Sequence, residues 1–421
     1  MAEGATPEGN LRVRDAAKVG YGPLAESAES SLSDFAPRCV SIDLEVGPKD
    51  SKIHRLAGIR PDTGQAFHFR GGDLATALKR LDDLAEGADF IVGHNVIEWD
   101  AKHLAAANPE LRLLRLPRID TLRLSPLAFP RNPYHHLVKH YQNGQLKHAS
   151  RNDPELDARL TLELLNDEYE ALRAIHQQAP DLVAAYHWLT TVDGAGAGEA
   201  WFFEQVRRHD RPTDASATVT LRRLLQGKAC RVQVGSILNS HSANALDLAY
   251  VLAWLSVAGG NSVMPPWVRR QFPAAGLLVK KLRDTCCSDP ACEWCREHHD
   301  PRKELARWFP KLTGFRPEPK AANGRSLQEC IVESAMQGEH ALGILPTGTG
   351  KSICYQIPAL SRYEKTGALT VVISPLVALM ADQVAGLERH GITCCAAVNG
   401  LLSMPERADV LDRIRLGDVA I

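Results

Sequence analysis

The sequence predicts a multidomain α/β protein. Between Cys39 and Asp100, strand-like apolar runs alternate with a helical stretch, which is typical of an α/β domain. Near residue 346, an apolar run leads into a glycine-rich turn and then into a helical pattern, which indicates a second α/β unit. The 421 residues are enough for two or three domains, each with its own hydrophobic core.

Changes in composition divide the chain into five parts. Residues 1–35 are polar and rich in small residues, and we interpret them as a mobile leader or a short docked helix. Residues 36–178 form the first α/β part, and residues 179–264 continue as a helical connector. Residues 265–318 are basic and rich in cysteine and tryptophan, and residues 319–421 contain the glycine-rich turn.

Within the first part, each expected element follows from its hydrophobic period. Short runs rich in β-branched residues predict strands, and longer stretches with apolar residues three or four apart predict helices. The expected strands are Cys39–Val46, Ile53–Ile59, Gln65–Arg70 and Phe90–Val92, and the expected helices are Asp73–Ala85, one beginning near Glu98, and 155–177.

Charge and composition exclude several classes of protein. The formal net charge is −1, so binding of nucleic acid would depend on local basic patches and not on a global field. No apolar run approaches ~18–20 residues, and no basic segment followed by an apolar one opens the chain, so we expect neither membrane association nor export. The ten cysteines are not spaced like a disulfide framework, which favours a reducing cytoplasm.

Four acidic residues of the first part are candidate metal ligands. Asp43 and Glu45 lie two positions apart in a strand, so both side chains leave the same face. Asp100 follows a strand end, and Asp157 lies in the first turn of a helix. Carboxylate oxygens suit Mg²⁺ or Mn²⁺, which in a two-metal site activates water and stabilises the leaving 3′ oxygen of a phosphodiester. The alternative is that each acid is a solvated surface residue or a helix cap.

The order of these acids, Asp-x-Glu, then Gly-His-Asn followed by Asp, then Asp-Ala, resembles the DEDD exonuclease superfamily over roughly residues 36–178. The resemblance implies a ribonuclease H-like fold and 3′–5′ exonuclease activity. It also implies the catalytic metal ligands, which would be Asp43, Glu45, Asp100 and Asp157.

The sequence departs from that family at the general base. The family has a histidine five residues or a tyrosine four residues before the last Asp, where this chain has Asn152 and Asp153. His94 and His148 are nearby in the sequence but lack that spacing. Because losing a general base costs about 10²- to 10⁴-fold in rate, we expect metal binding with weakened or rerouted catalysis.

A cysteine cluster in the basic segment predicts a zinc site. A Cys-x-x-Cys pair lets two thiolates reach one ion, and neighbouring thiols or imidazoles can complete a tetrahedron. The expected ligands are Cys286, Cys287, Cys292 and Cys295, with His298 and His299 as further candidates. An iron–sulfur cluster and reduced cysteines without metal are the alternatives. The surrounding Arg, Lys and Trp residues indicate a DNA-facing patch or, equally, a solvated charged face.

Residues 346–352, Pro-Thr-Gly-Thr-Gly-Lys-Ser, predict a phosphate-binding loop. A strand over 341–345, a glycine-rich turn and a helix N-terminus would place backbone N–H groups around nucleotide phosphates, with Lys351 on the β/γ-phosphates and Ser352 on Mg²⁺. Leu345 occupies the usual first-glycine position of such loops. The alternative is a simple strand-to-helix turn. The expected nucleotide-binding residues of the loop are Thr347, Gly348, Thr349, Gly350, Lys351 and Ser352.

This loop has the form found in superfamily 2 helicases, and two further segments make the region resemble the RecQ family. Thr370–Ile373 is predicted as a buried parallel strand, and Ser374–Val384 resembles the motif Ia that contacts DNA. Gln328 lies where that family keeps a glutamine that binds the adenine edge. No acidic Walker B motif follows Lys351, so we expect a lobe truncated before that motif and no helicase-like ATPase activity from these residues alone.

The sequence therefore predicts a ribonuclease H-like exonuclease domain, a helical connector with a zinc module, and the first part of a RecA-like P-loop helicase lobe. The expected function is that of the N-terminal part of an ATP-dependent RecQ-like DNA helicase carrying a metal-dependent 3′–5′ exonuclease-like domain. The expected cofactors are ATP, Mg²⁺ or Mn²⁺, and Zn²⁺. The expected partner is single-stranded or partly duplex DNA in the bacterial cytosol or nucleoid. The alternative is a catalytically silent nuclease-fold module that binds or loads DNA beside a helicase.

Overall fold

A computed structural model describes most of the chain after residue 37. The described residues are 38–47, 51–135, 137, 141–142, 145–146, 153–192, 196–239, 244–257 and 264–421. The predicted leader at 1–35 and the residues His148 and Asn152 lie outside them. No helix within the described ranges is long and apolar enough to cross a membrane.

The first part contains a five-stranded sheet, and four of its strands correspond to strands expected from the sequence. Their order in the sheet is β3-β2-β1-β4-β5, with β1–β3 antiparallel and β1, β4 and β5 parallel. Carboxyl ends of parallel strands meet at one edge of a sheet. The strands are β1 (Cys39–Val46), β2 (Ile53–Arg60), β3 (Gln65–Phe69), β4 (Phe90–Gly93) and β5 (Arg118–Asp120).

Four helices and a 3₁₀ turn accompany this sheet. They are α1 (Leu74–Leu84), α2 (Asp100–Ala107), the 3₁₀ turn Arg112–Arg115, α3 (Thr121–Ala128) and α4 (Pro154–Gln178), and a short hairpin, β6 (Tyr141–Gln142) and β7 (Gln145–Leu146), precedes α4. Alternation along β1 separates two cores. Val40 and Ile42 pack with α1 on one face, whereas Cys39 packs on the other face with residues of α4.

The connector shares a core with the sheet. Its helices are α5 (Pro180–Thr190), α6 (Ala197–Arg207), α7 (Asp214–Leu225), α8 (Arg231–Leu238), α9 (Ala245–Val257), α10 (Pro266–Gln271) and α11 (Pro273–Arg283). One hydrophobic cluster runs from Ile119 in the sheet through Tyr169 and Trp188 to Leu282 in α11. The compositional boundaries at 178 and 264 are therefore not boundaries between separate cores.

Two short helices lead from the cysteine-rich segment into the last part. They are α12 (Glu293–His298) and α13 (Pro301–Trp308), followed by α14 (Leu327–Met336), α15 (Ile353–Thr366), α16 (Val377–Glu388) and α17 (Met404–Arg415). Leu305 and Phe309 pack with Val332, Ile357 and Leu360 in a core of their own.

The strands predicted at 341–345 and at Thr370–Ile373 are wrong for this structure, which has no strand in either segment. Ile373, in the segment predicted as a buried strand, is 93% exposed, and Leu342 is 89% exposed. A parallel strand forms only where neighbouring strands satisfy its backbone groups. Among the described residues, the backbone N–H of Thr370 donates to Ala420 at 2.8 Å, and no strand develops from this contact.

Candidate metal, zinc and nucleotide sites

Three of the four predicted metal ligands converge at one edge of the sheet. Asp43 and Glu45 leave the same face of β1, which is the face against α4. Helix α4 is fixed to this strand because the Ser41 hydroxyl donates to the carbonyl of Ala158 at 2.8 Å. One carboxylate oxygen from each of Asp43, Glu45 and Asp157 lies within 4.8 Å of the others. Such oxygen-only clusters fit Mg²⁺ or Mn²⁺.

Asp100 lies outside this group of three. It begins α2 and is only 2% exposed, and its Oδ1 accepts a hydrogen bond from the backbone N–H of Leu44 at 3.1 Å. Burial, with additional repulsion from Asp120 and Glu45, raises the pKa of Asp100 to about 7. A cation bound nearby would favour the ionised form of this carboxyl.

Asp120 is a positioning residue that the sequence analysis did not single out. Its carboxylate accepts hydrogen bonds from the backbone N–H groups of Asn95, Ile97 and Leu122 at 2.8–3.1 Å. Asn95 has φ +70°, a left-handed conformation that the first of these bonds stabilises. Asp120 thus shapes the segment between β4 and α2 that delivers Asp100. The available signal was the position of this Asp directly after the β-branched Ile119.

The described residues near the general-base positions have structural roles. Asp153 is the N-cap of α4, and its carboxylate accepts a hydrogen bond from the backbone N–H of Glu155 at 3.3 Å. Both ring nitrogens of His94 are engaged, Nδ1 with the Thr121 hydroxyl at 3.0 Å and Nε2 with the carbonyl of His135 at 2.9 Å. Asp153 therefore serves as a helix cap, and the imidazole of His94 is held by hydrogen bonds at both ring nitrogens.

Four thiols converge in the cysteine-rich part, but they are not the predicted four. The Sγ atoms of Cys230, Cys287, Cys292 and Cys295 lie within 4.8 Å of one another. Cys286 is exposed and lies outside this group, as do His298 and His299. Local spacing could not reveal Cys230, which lies 62 residues before Cys292. The four thiols are called the thiol cluster below.

The environment of the thiol cluster favours a thiolate at one position. Burial opposes ionisation of Cys292, but hydrogen bonds from the backbone N–H groups of Cys295 and Arg231 and from neighbouring thiols lower its pKa to about 7. Burial raises the pKa of Cys295 strongly. Thiolates are the form in which cysteine binds metal.

Three basic residues of the segment expected to face DNA form ion pairs within the protein. Arg302 pairs with Glu329 at 2.9 Å, Arg307 pairs with Glu364 at 2.7 Å, and Lys303 pairs with Glu297. The indole N–H of Trp294, which is 6% exposed, donates to the carbonyl of Arg283. These side chains therefore have partners within the protein, and the two interpretations of the segment, a DNA-facing patch and a solvated charged face, stay predictions.

The predicted phosphate loop adopts a conformation that requires glycine. Gly348 and Gly350 have φ of +81° and +76°, values that other residues rarely adopt. The Thr349 hydroxyl donates to the carbonyl of Pro346 at 2.7 Å and tightens the turn. Ser352 is the N-cap of α15, and Lys351 is exposed at the same turn.

The side chain of Gln328 is hydrogen-bonded to the phosphate loop. Its side-chain N–H donates to the carbonyl of Gly350 at 2.8 Å, and its Oε1 accepts a hydrogen bond from the backbone N–H of Arg316 at 3.0 Å. The guanidinium of Arg316 donates to the carbonyl of Gly348 at 2.6 Å. Gln328 is 4% exposed, so contact with an adenine edge would require these bonds to be exchanged.

Beside the loop lies an open cavity of about 950 Å³. Lys351 and Ser352 line it, and so does α16, which includes most of the segment resembling motif Ia. Gln383 of α16 accepts hydrogen bonds from the Tyr355 hydroxyl at 2.8 Å and the Gln356 amide at 3.1 Å. The helix after the phosphate loop and the motif Ia-like helix are thus directly connected.

Comparisons with known proteins show that part of this chain is similar to helicases. Residues 325–421 match the DEAD/DEAH box helicase family. The chain is 42% identical over 87 residues to a probable ATP-dependent DNA helicase RecS of Bacillus subtilis, covering 21% of this chain and 17% of that protein. It is 50% identical over 68 residues to the ATP-dependent DNA helicase RecQ of Haemophilus influenzae, covering 16% and 10%.

Similarity extends to eukaryotic helicases of the same kind. The chain is 40% identical over 94 residues to the human ATP-dependent DNA helicase Q4, covering 22% of this chain and 8% of that protein. The chain thus spans less than a fifth of the length of these three relatives. No solved structure gave a significant match. The region that carries the phosphate loop therefore matches a helicase family model, and part of the chain is similar to RecQ helicases.

Proposed function

We propose that this chain is part of a RecQ-like, ATP-dependent DNA helicase. The main support is the loop at 346–352, which has left-handed glycines, a lysine and a serine at a helix start, and lies in the region similar to RecQ helicases. The named relatives are ATP-dependent DNA helicases, so DNA, single-stranded or partly duplex, is the proposed partner.

ATP with Mg²⁺ is the proposed nucleotide at this loop. Backbone N–H groups of 347–351 would surround the phosphates, because the N-terminus of a helix attracts anions. The Lys351 ammonium would neutralise the β/γ-phosphates, and the Ser352 hydroxyl would ligate Mg²⁺. Gln328 and Arg316 stabilise the conformation of the loop by donating hydrogen bonds to its backbone carbonyls.

We propose that the first part is a metal-dependent 3′–5′ exonuclease-like domain. Its sheet of three antiparallel and two parallel strands is compatible with a ribonuclease H-like fold. Asp43, Glu45 and Asp157 would hold Mg²⁺ or Mn²⁺, with Asp100 as a further ligand once ionised. The bound metal would supply an activated water and charge for the leaving oxygen.

A second candidate function is a catalytically silent DNA-binding or loading module. The observation that favours it is the structural use of Asp153 as a helix cap and of both His94 ring nitrogens as hydrogen-bonding groups. Without a positioned base, a metal-loaded domain could bind a DNA end and leave it uncleaved.

A nuclease assay distinguishes these two functions. Wild type and Asp43→Asn are incubated with 3′-labelled single-stranded and duplex DNA in Mg²⁺ and in Mn²⁺. Metal-dependent release of 3′ nucleotides that Asp43→Asn abolishes supports the exonuclease. DNA-end binding without any release supports the silent module.

We also propose that zinc is a structural cofactor of the cysteine-rich part. The support is the convergence of four thiols, a donor set that is typical of structural zinc sites.

A further inference from the structure

The spacing of two sulfur atoms identifies how the thiol cluster is built. Tetrahedral zinc with Zn–S bonds of about 2.3 Å places its sulfur ligands about 3.8 Å apart. The Sγ atoms of Cys292 and Cys230 are 3.8 Å apart. A disulfide would bring them to about 2.05 Å, and all the described cysteines are free. The pair is therefore spaced as two ligands of one ion.

The backbone around Cys230 is fixed in place by polar contacts with the cysteine-rich turn. The guanidinium of Arg231 donates to Asp289 at 2.6 and 2.8 Å. The carbonyl of Asp289 in turn accepts a hydrogen bond from the backbone N–H of Cys292 at 3.0 Å. On the other side, the backbone N–H of Cys230 donates to the carbonyl of Leu282 at 2.8 Å. These bonds bring Cys230 to the turn across a long sequence separation.

The thiol cluster has few apolar neighbours that could hold it together without metal. Cys230, Cys292 and Cys295 are 0%, 1% and 6% exposed, and with Trp294 they form a small buried cluster separate from the larger cores. Small modules with so little apolar surface typically depend on a metal or a disulfide for stability.

We propose that Cys230 is the fourth ligand of a tetrathiolate zinc site with Cys287, Cys292 and Cys295, and that this ion links the connector to the helicase-like part. Helix α8, which follows Cys230, contributes Val234 and Ile237 to the connector core. The cysteine-rich turn continues through α12 into α13, whose Leu305 lies in the core of the last part. The ion would thus cross-link two cores. This inference rests on the proposed presence of zinc.

Metal content and cysteine labelling test the proposal together. Zinc is measured in the 421-residue chain purified without chelator, and in Cys230→Ser and Cys286→Ser. We expect about one zinc per chain in wild type and in Cys286→Ser, the matched control beside the site. Loss of an outer partner of a zinc ligand already costs about 10- to 100-fold in affinity, so Cys230→Ser should weaken zinc binding at least about 100-fold.

Labelling of the wild-type protein avoids dependence on a variant that fails to fold. The native chain is alkylated with and without a strong chelator, and each cysteine is quantified by peptide mass spectrometry. We expect Cys230 to become reactive on chelation together with the other three ligands, whereas buried Cys39 stays protected and exposed Cys286 reacts in both conditions.

The outcomes distinguish two claims, that the chain binds zinc and that Cys230 is one of the zinc ligands. Absence of zinc from wild type, or iron with visible absorbance in its place, would overturn zinc itself. Zinc in wild type with Cys230 still protected after chelation, like Cys39, while Cys287, Cys292 and Cys295 react, would remove Cys230 from the site and leave the zinc proposal standing. Equal zinc affinity in folded Cys230→Ser would do the same.

Discussion

Lys365 Nζ lies 3.3 Å from Asp284 Oδ1, and the two side chains are only 1% and 7% exposed. This buried ion pair joins the last turn of α15 to the residue that ends α11. Arg362 approaches the same carboxylate at 3.6 Å. The pair therefore connects the helix that begins at the phosphate loop with the connector core.

Removing the cation of this pair should destabilise the protein. Lys365→Met leaves Asp284 buried with only the more distant Arg362, and breaking a buried ion pair from one side typically costs about 3–5 kcal/mol. We expect the free energy of unfolding, measured by urea titration with tryptophan fluorescence, to fall by about 3 kcal/mol. Lys280→Met on exposed α11 surface is the control and should change it by less than about 0.5 kcal/mol. Equal effects of both variants would contradict the assigned role.

The phosphate loop should bind ATP through Lys351. A hydrogen bond to a charged group contributes about 1.5–3 kcal/mol, so Lys351→Ala should weaken Mg-ATP binding by about 10- to 100-fold in calorimetry. Lys320→Ala, an exposed lysine outside the loop, serves as the control. Unchanged affinity in Lys351→Ala would mean that residues 346–352 are only a turn that precedes α15 and do not bind the nucleotide.

Gln328 should stabilise the folded chain even in the absence of nucleotide. Its amide holds the backbone of Arg316 and Gly350, so Gln328→Leu should lower the stability of the nucleotide-free chain by about 1–3 kcal/mol. A residue that only recognised adenine would leave that stability unchanged and would alter the preference for ATP over GTP. Thermal unfolding without nucleotide, followed by ATP and GTP titrations, separates the two roles.

Asp43, Glu45 and Asp157 should contribute more than Asp100 to the binding of a divalent metal. Asp43→Asn and Asp157→Asn should each weaken Mn²⁺ binding by at least about tenfold in calorimetry, because each removes a charged oxygen ligand. Asp100→Asn should have a smaller effect, since its carboxyl is bound to the backbone of Leu44. Asp83→Asn on the exposed surface is the control. Equal Mn²⁺ affinity in wild type and all variants would reject the site.

Glu168 should make stability depend on pH. It is 0% exposed, neither carboxyl oxygen has a hydrogen-bond partner among the described residues, and burial raises its pKa well above 4.5. The folded state then holds the proton more tightly than the unfolded chain, so stability falls as the pH rises above 4.5.

Glu168→Gln removes this dependence. Relative to wild type, the variant should gain stability progressively between pH 4.5 and pH 8, as measured by urea unfolding at each pH. Glu170→Gln, an exposed position on the same helix, should follow the wild-type curve. A constant difference between Glu168→Gln and wild type across this range would show that Glu168 does not titrate as argued.

Hydrophobic patterns in the sequence predicted the features that depend on residues close together in the chain. Alternation located β1, and its period of two correctly placed Asp43 and Glu45 on one face. The fourth thiol was missed because Cys230 reaches the cluster through tertiary contacts that no spacing records. The strand expected at Thr370–Ile373 failed for a related reason, because a parallel strand depends on partners distant in sequence.

The helix α15 has a mechanical consequence. Its 14 residues span about 21 Å, from the phosphate loop at Ser352 to the buried Lys365. A helix that is held at one end can transmit a rotation of its other end. Rearrangement of the loop around a nucleotide would therefore act on Asp284 and the connector, and the nuclease-like sheet shares its core with that connector. Helix α15 thus joins the phosphate loop to the connector, which shares a hydrophobic core with the sheet that carries the acidic residues.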